Sequence, residues 1–404
     1  MKWTNKGHQF DCLGKRFEQR NRIYIYGAAE YGKRFLDMLS MAGLSDMVDG
    51  FIDKNVRKQA EGFEGKQVLS PEILFEKHDT SHVMIVAMWE PHCSRTVTRL
   101  LQAGYVENLD FFRWDIFRAY LNEIYFPIYA LYTQDKLVVS SSCYIPTDAC
   151  NLRCRDCLNF TPYIKNFEIR PLDAACRDID LFFKWIDFTF RYQISGGEPV
   201  LYAHLRELIE YIGIHYRHRI DLFEVVMNGT IIPSDDLCQC MKQYDMTACL
   251  DNYTQSIPQA MNHREEIIDR LEKHSVKWVD NTVQDWFDLR IFDTDNSEMG
   301  EQGLTEYFDH CNNPWHYYEN GKLYACNFAR FAERAGLNKE NNSSSFNLAK
   351  MTQNRKKELM EFLLNYNETG YVQMCKRCAG WADFNPNRVP VARQCGGQCN
   401  EMDA

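Results

Sequence analysis

Short apolar runs alternate along this chain with stretches whose apolar positions recur at helical spacing. The alternation is most regular between about residues 143 and 285. Tyr192-Gln193-Ile194, Phe223 to Met227 and Met246 to Leu250 read as buried strands. Leu205, Leu208, Ile209 and Ile212 fall at i, i+3, i+4 and i+7, while Arg206, Glu207 and Glu210 lie mostly off that stripe, which predicts a helix packed on a sheet. Ser234 before Asp235-Asp236 supplies an N-cap, and Pro258 suits the first turn of the following helix. Strands alternating with amphipathic helices predict a parallel sheet with helical crossovers, here a partial (β/α)6 barrel. Such barrels carry their chemistry at the carboxyl ends of the strands.

The first 120 residues repeat the alternation as a separate α/β unit. Arg22 to Tyr26, Val48 to Ile52 and Val83 to Ala87 are its predicted strands, giving an open sheet. Gly27-Ala28-Ala29-Glu30-Tyr31-Gly32 follows the first strand and enters a helix, the position of a dinucleotide-type phosphate turn, with Ala29 replacing the middle glycine. Asp53 closes the second strand, where an acid commonly meets a ribose hydroxyl. Gly27, Gly32 and Asp53 are thus a candidate nucleotide or anion site, weighed against a purely structural or docking role. The order resembles small Rossmann-like domains joined to enzymes of sugar-nucleotide and surface-polysaccharide metabolism.

The patterning divides the chain into a Rossmann-like domain (1–122), a barrel (123–290) and an α+β extension (291–404). The apolar stretch Ile124 to Tyr129 is expected to pack between domains, and Asn341 to Ser345 to form a loop. No internal repeat is found. A length of 404 residues suits two or three domains, and 45% hydrophobic content suffices for real cores. A net charge of -10 argues against nonspecific nucleic-acid binding. No run reaches the length of a membrane span and the amino end lacks a signal-peptide pattern, so a cytoplasmic protein is expected.

Candidate chemistry begins with Cys150, Cys154 and Cys157, a Cys-x3-Cys-x2-Cys triplet directly after the strand-like run Cys143 to Ile145. In a chain with 16 cysteines a partial zinc site or scattered core thiols is the alternative. About forty residues on, the strand at Tyr192 runs into Ser195-Gly196-Gly197-Glu198-Pro199. The third strand ends in Asn228-Gly229-Thr230 and the next in Asp251-Asn252-Tyr253; strand alternation puts Cys249 and Asp251 on one face. Triplet, Gly-Gly-Glu-Pro turn and Asn-Gly-Thr, in this order, resemble the radical S-adenosylmethionine (radical SAM) enzymes.

That resemblance implies a 4Fe-4S cluster held by Cys150, Cys154 and Cys157, with one iron left open to chelate SAM. It implies that Gly196 and Gly197 let the backbone approach the methionine moiety, that Glu198, closed off by Pro199, pairs with the ammonium, and that Asn228 and Asp251 supply further contacts. Asp156 departs from the family pattern, which usually has an aromatic residue near the adenine at this place.

Behind the barrel come Cys311, then Gly321 after nine intervening residues, Cys326 after four more, and the knuckle Cys375-x2-Cys378. Asn320-Gly321 between apolar runs signals a hairpin that would bring Cys311 and Cys326 together. Zinc would accept such a set on spacing alone. Cys-x9-Gly-x4-Cys resembles the opening of the family's SPASM and twitch extensions, which implies one auxiliary 4Fe-4S cluster. Cys395 and Cys399 are read as free or zinc-scavenging thiols; Cys12, Cys93, Cys143, Cys176, Cys238 and Cys240 as ordinary core or surface thiols.

The resemblance implies reductive SAM cleavage to a 5'-deoxyadenosyl radical that takes hydrogen from a small-molecule, carbohydrate-like or nucleotide-linked substrate. Dehydrogenation, with the auxiliary cluster in electron transfer, or epimerisation would follow, and Cys249 is the candidate hydrogen-atom donor for the second. A flavodoxin- or ferredoxin-type electron donor is implied; no nucleic-acid or membrane partner is expected. The alternatives are a peptide-modifying maturase and a non-catalytic iron-sulfur sensor or docking protein.

Overall fold

The computed structural model describes residues 2–78, 80–114, 121–311, 315–339, 344–381 and 384–395. Two compact units are present: residues 8–140, and residues 141–404 together with the first seven. Residues 123–140 fall within the first unit, and 141–290 share the second with 291–404.

The first unit is built on a five-stranded sheet of β1 (Ile23–Tyr26), β2 (Val48–Ile52), β3 (Gln67–Leu69), β4 (Val83–Val86) and β5 (Phe111–Arg113), all parallel. Its order, β3-β2-β1-β4-β5, is that of a doubly wound sheet with a switch point between β1 and β4. Burial on both faces explains why these strands read as near-continuous apolar runs: all four residues of β4 are buried. Gly27 lies at φ +122, and a Cβ there would come within 2.7 Å of the Ala87 carbonyl oxygen. A Cβ on Gly32 would meet the Gly27 carbonyl at 1.9 Å. Both glycines are thus demanded by close backbone packing.

The second unit holds an eight-stranded sheet. Its barrel strands are β6 (Val138–Tyr144, entering from the first unit), β7 (Phe188–Ile194), β8 (Ile220–Met227), β9 (Thr247–Asp251) and β10 (Lys277–Asn281). They lie in chain order, with β7–β8, β8–β9 and β9–β10 parallel. The short β11 (Asp285–Phe287) follows. The helix Leu205–Tyr216 buries the stripe Leu205, Leu208, Ile209 and Ile212, and the Ser234 hydroxyl caps the helix Asp235–Gln243 by accepting from Leu237 N at 3.2 Å. Pro258 instead precedes a 3-10 turn, Gln259–Met261, and the helix begins at Arg264.

Beyond the barrel, β12 (His316–Glu319) and β13 (Lys322–Tyr324) form the hairpin expected at Asn320-Gly321, whose φ values of 49° and 70° suit a two-residue turn. β12 runs parallel beside β6, and β13 pairs antiparallel with β14 (Ser345–Asn347). The extension is therefore continuous with the barrel sheet. β15 (Arg388–Pro390) returns to pair with β11.

A buried ionic cluster fixes this junction. Glu319 is fully buried and accepts from Arg330 Nε at 2.6 Å, with Arg170 and Arg334 both at 3.7 Å. Arg170 also pairs with Asp178 at 2.7 Å and with Asn320 at 2.8 Å, and Arg334 pairs with Asp148. Removing Glu319 takes one buried carboxylate from three arginines that keep their other partners, and leaves part of their charge uncompensated in the interior, which is costlier than losing a surface pair. Glu319→Ala should therefore lower the unfolding free energy by about 3 kcal/mol or more, and Glu319→Gln by less, read as denaturation midpoints. Equal midpoints for Glu319→Ala and the native protein would show that the cluster does not hold the junction.

Candidate functional site

The strand pleat decides what faces the barrel interior. Arg191 and Gln193 of β7, Val226 of β8 followed by Asn228, and Cys249 and Asp251 of β9 line one cavity of about 460 Å³. Cys150, Cys154 and Cys157 line it too, as do Gly196, Gly197, Glu198 and Pro199. The structure thus brings the triplet, the Gly-Gly-Glu-Pro turn, Asn228, Cys249 and Asp251 together at the carboxyl ends of the strands.

The turn is docked on the triplet loop by backbone bonds. Ser195 N donates to Tyr144 O at 3.0 Å, Gly197 N to Thr147 O at 3.0 Å, and Glu198 N to Ala149 O at 2.8 Å. Contact is too close for side chains: a Cβ would meet Thr147 O at 2.5 Å from Gly196, and Ala149 O at 2.3 Å from Gly197. Glu198, 1% exposed, then reaches across, one carboxylate oxygen accepting from Val200 N at 3.0 Å and the other from Asn228 N at 2.8 Å. Burial pushes its carboxyl up to about 7. Asn228 bonds through its amide to Asn151 at 3.1 Å, and Asp251 accepts from Tyr253 at 2.7 Å and Asn281 at 2.6 Å. Burial raises Asp251 to about 6 and Cys249 to about 12, so Cys249 stays a protonated thiol near neutral pH.

Sulfur acceptors within the loop are also satisfied. Cys150 Sγ accepts from Leu152 N at 3.4 Å and Cys154 Sγ from Gln394 Nε2 at 3.2 Å. Burial, reinforced by the neighbouring sulfurs, pushes both thiols up. Thiolates there require a bound cationic group, so the donor set fits an iron-sulfur cluster.

Gln394 belongs to a feature that the sequence pattern did not reveal. The chain after β15 crosses the triplet loop: Arg155 N donates to Arg393 O at 2.7 Å, Cys395 N to Arg153 O at 2.8 Å, and Arg153 N to the Gln394 side chain at 2.9 Å. Asp156, the position that departs from the family pattern, pairs with Arg393 at 3.0 Å. Cys395 is disulfide-bonded, which corrects its reading as a free thiol; Cys399 and most of the Asn341 to Ser345 stretch lie outside the described residues.

The second cysteine set also converges. Cys311, at the end of helix Gly300–Cys311, joins Cys326, Cys375 and Cys378 around one pocket with Phe308 and Phe328. Trp381 N donates to Cys311 Sγ and Gly380 N to Cys378 Sγ, both at 3.3 Å. Asn296 holds the knuckle through the carbonyls of Cys375 and Cys378 at 2.8 and 2.9 Å. Among the described residues no three His, Cys, Asp or Glu side chains are drawn together as ligands of a single metal ion. Four convergent thiols are a donor set that either an iron-sulfur cluster or zinc accepts.

The first-unit turn has a different outcome. Asp53 Oδ2 accepts from Ala28 N at 2.9 Å and Oδ1 from Asn55 N at 2.9 Å, while Lys58 reaches the Ala28 carbonyl. The Asp53 carboxylate thus braces the turn from within, beside the close backbone packing at Gly27 and Gly32.

No protein-family profile matches the chain, and no curated protein matches it. Solved structures similar to it include native anSMEcpe with bound AdoMet (14% identity, 60% of this chain and 91% of that one, TM-score 0.39). BtrN in complex with AdoMet and 2-DOIA gives 13% identity, 65% and 98% coverage and a TM-score of 0.37. Streptococcus suis SuiB bound to S-adenosylmethionine gives 14%, 47% and 45%, and 0.29. The match to anSMEcpe bound to the Cp18Cys peptide spans 42% of that chain. At these scores the similarity establishes neither family nor activity. The chain's own residues carry the functional reading.

Among those residues Gly197 offers the sharpest check. Gly197→Ala should lower stability by roughly 1–3 kcal/mol through overpacking against the 148–149 carbonyls and should cut the iron retained after reconstitution. A variant with native stability and iron content would show that the turn does not brace the loop.

Proposed function

We propose that the protein is a radical SAM enzyme acting on a carbohydrate-like or nucleotide-linked small molecule, by dehydrogenation or epimerisation. The observation that carries this reading is the convergence of Cys150, Cys154 and Cys157 with the Gly196–Pro199 turn, Asn228, Asp251 and Cys249 on one cavity. Cys150, Cys154 and Cys157 would hold a 4Fe-4S cluster, and Cys311, Cys326, Cys375 and Cys378 an auxiliary one. When bound, cluster and SAM together supply a 5'-deoxyadenosyl radical, given an electron from a flavodoxin- or ferredoxin-type donor.

The chain's own residues bind, orient and exclude water. Gly196 and Gly197 expose backbone toward the cofactor, Glu198 presents a carboxylate to the SAM ammonium, and Asn228 and Asp251 take further polar contacts. The apolar walls at Val226, Trp315 and Trp381 limit water around the reacting carbon. Cys249, a buried thiol lining the cavity, would return a hydrogen atom to one face of a substrate radical. A cavity of about 460 Å³, shared between SAM and substrate, favours a small ring over a folded peptide. Among the described residues no helix is long and apolar enough to cross a membrane.

Anaerobic reconstitution with iron and sulfide, followed by SAM and dithionite, should yield 5'-deoxyadenosine with about eight irons per chain, falling to about four in Cys375→Ala/Cys378→Ala. Absence of 5'-deoxyadenosine would return a sensor role to consideration, and about four irons in both proteins would remove the auxiliary cluster. Cys249→Ala should leave SAM cleavage intact and abolish any epimer formed; an epimer retained in the variant removes the donor role.

A further inference from the structure

Deep in the cavity, two layers below Ser195, lies Arg191 of β7. It is the one basic side chain lining the cavity among the described residues. Its Nε donates to Glu224 of β8 at 2.5 Å, and its guanidinium stands 4.7 Å from the centre of the Trp315 ring. The Glu224 side chain is 3% exposed, whereas Arg191 remains 28% exposed and lines the cavity. Neither Nη of Arg191 hydrogen-bonds to another described residue, so this edge of the guanidinium is left for a ligand. Glu224 and the indole fix its plane, since a guanidinium held through Nε and stacked on a ring has little freedom left.

The surrounding charges decide what kind of ligand. Glu198, Asp251 and Asp285 also line the cavity, and Glu224 stands directly behind Arg191. The single cation is thus already neutralised, with three further acids nearby. A phosphate or pyrophosphate would find a single guanidinium already paired with Glu224 and, among the described lining residues, no second cation to hold its charge. Hydroxyl oxygens accept hydrogen bonds from the Nη edge without that penalty, and the faces of Trp286, Trp315 and Trp381 suit the C–H faces of a ring.

We infer that Arg191, oriented by Glu224 and Trp315, is the substrate-recognition residue of this cavity, and that it selects an uncharged polyhydroxylated ring over a phosphorylated or nucleotide-linked one. The inference rests on the radical SAM reading and narrows its substrate class. Vicinal ring hydroxyls would accept from the two Nη groups, presenting the ring edge upward to Cys249 and the proposed SAM site.

The test is calorimetric titration of the reconstituted, SAM-loaded protein with myo-inositol and D-glucose as uncharged ring polyols, and with D-glucose 6-phosphate and UDP-glucose as charged counterparts. At least one uncharged polyol should bind at least tenfold more tightly than either charged probe. Arg191→Gln/Glu224→Gln, which removes both charges together and leaves no buried ion unpaired, should weaken that binding at least tenfold. Arg191→Lys should not rescue it, because an ammonium lacks the planar two-donor edge. Iron content, SAM binding and uncoupled 5'-deoxyadenosine formation should stay within twofold of native in both variants. Tighter binding of UDP-glucose or D-glucose 6-phosphate, no saturable heat from either polyol, or polyol binding indifferent to Arg191 would each overturn the inference. Those failures with 5'-deoxyadenosine still formed strike the substrate class alone; loss of 5'-deoxyadenosine in the native protein strikes the radical SAM reading and this inference together.

Discussion

The candidate site depends on one contact, the backbone-to-backbone docking of the 195–198 turn on the loop at 147–149. Two hydrogen bonds span it and a third ties Ser195 N to Tyr144 O at the end of β6, and the turn comes so close that neither Gly196 nor Gly197 has room for a β-carbon. Glu198 extends the contact to the next strand by accepting from Asn228 N, and Asn228 in turn bonds Asn151 within the triplet loop. Loop, turn and third strand therefore form one closed ring of contacts. A cofactor placed among them would meet groups that are already fixed relative to one another, which is how a site avoids ordering costs at the moment of binding.

Burial of acids and thiols in this ring has an electrostatic consequence. Glu198, Asp251 and Cys249, like Cys150 and Cys154, are pushed up chiefly by loss of water, because an apolar interior penalises the charged form. Such a cavity gains most from ligands that bring positive charge to the acids and metal to the thiols. The proposed cluster and SAM, whose ammonium and sulfonium outweigh its carboxylate, answer that demand. Arg191 is already answered by Glu224, so it adds donors without adding much field.

What could be read from the sequence follows the range of the interactions involved. The helix stripe at Leu205 to Ile212, the pairing of Cys249 with Asp251 on one face and the Asn320-Gly321 hairpin are local, and local periodicity and turn chemistry reveal them. Convergence of the second cysteine set was readable because a hairpin and a knuckle each place two of its members. The strap that residues 393–395 lay across the triplet loop was not, since Gln394 meets Cys154 across 240 residues beyond an edge strand of three residues with no strong pattern. Nor was the Glu319 cluster, whose arginines and acids read as solvated charges until folding buries them together. At Asp53 the carboxylate accepts from Ala28 N, a choice of rotamer that no spacing rule encodes.

The strap also changes how the two cysteine sets relate. Cys378 belongs to the second pocket, Trp381 lines both the second pocket and the barrel cavity, and Gln394 touches Cys154 of the first set. One short stretch of chain thus leaves the second set and ends on the first. Trp381 is tied to the second set by its backbone N–H to Cys311 Sγ while its ring packs near Phe287, beside which β15 pairs with β11. Ordering the second set therefore positions a wall of the cavity and anchors the start of the strap over the first loop. On this geometry a change of packing at the second set bears on a wall of the barrel cavity, because Trp381 lines both pockets.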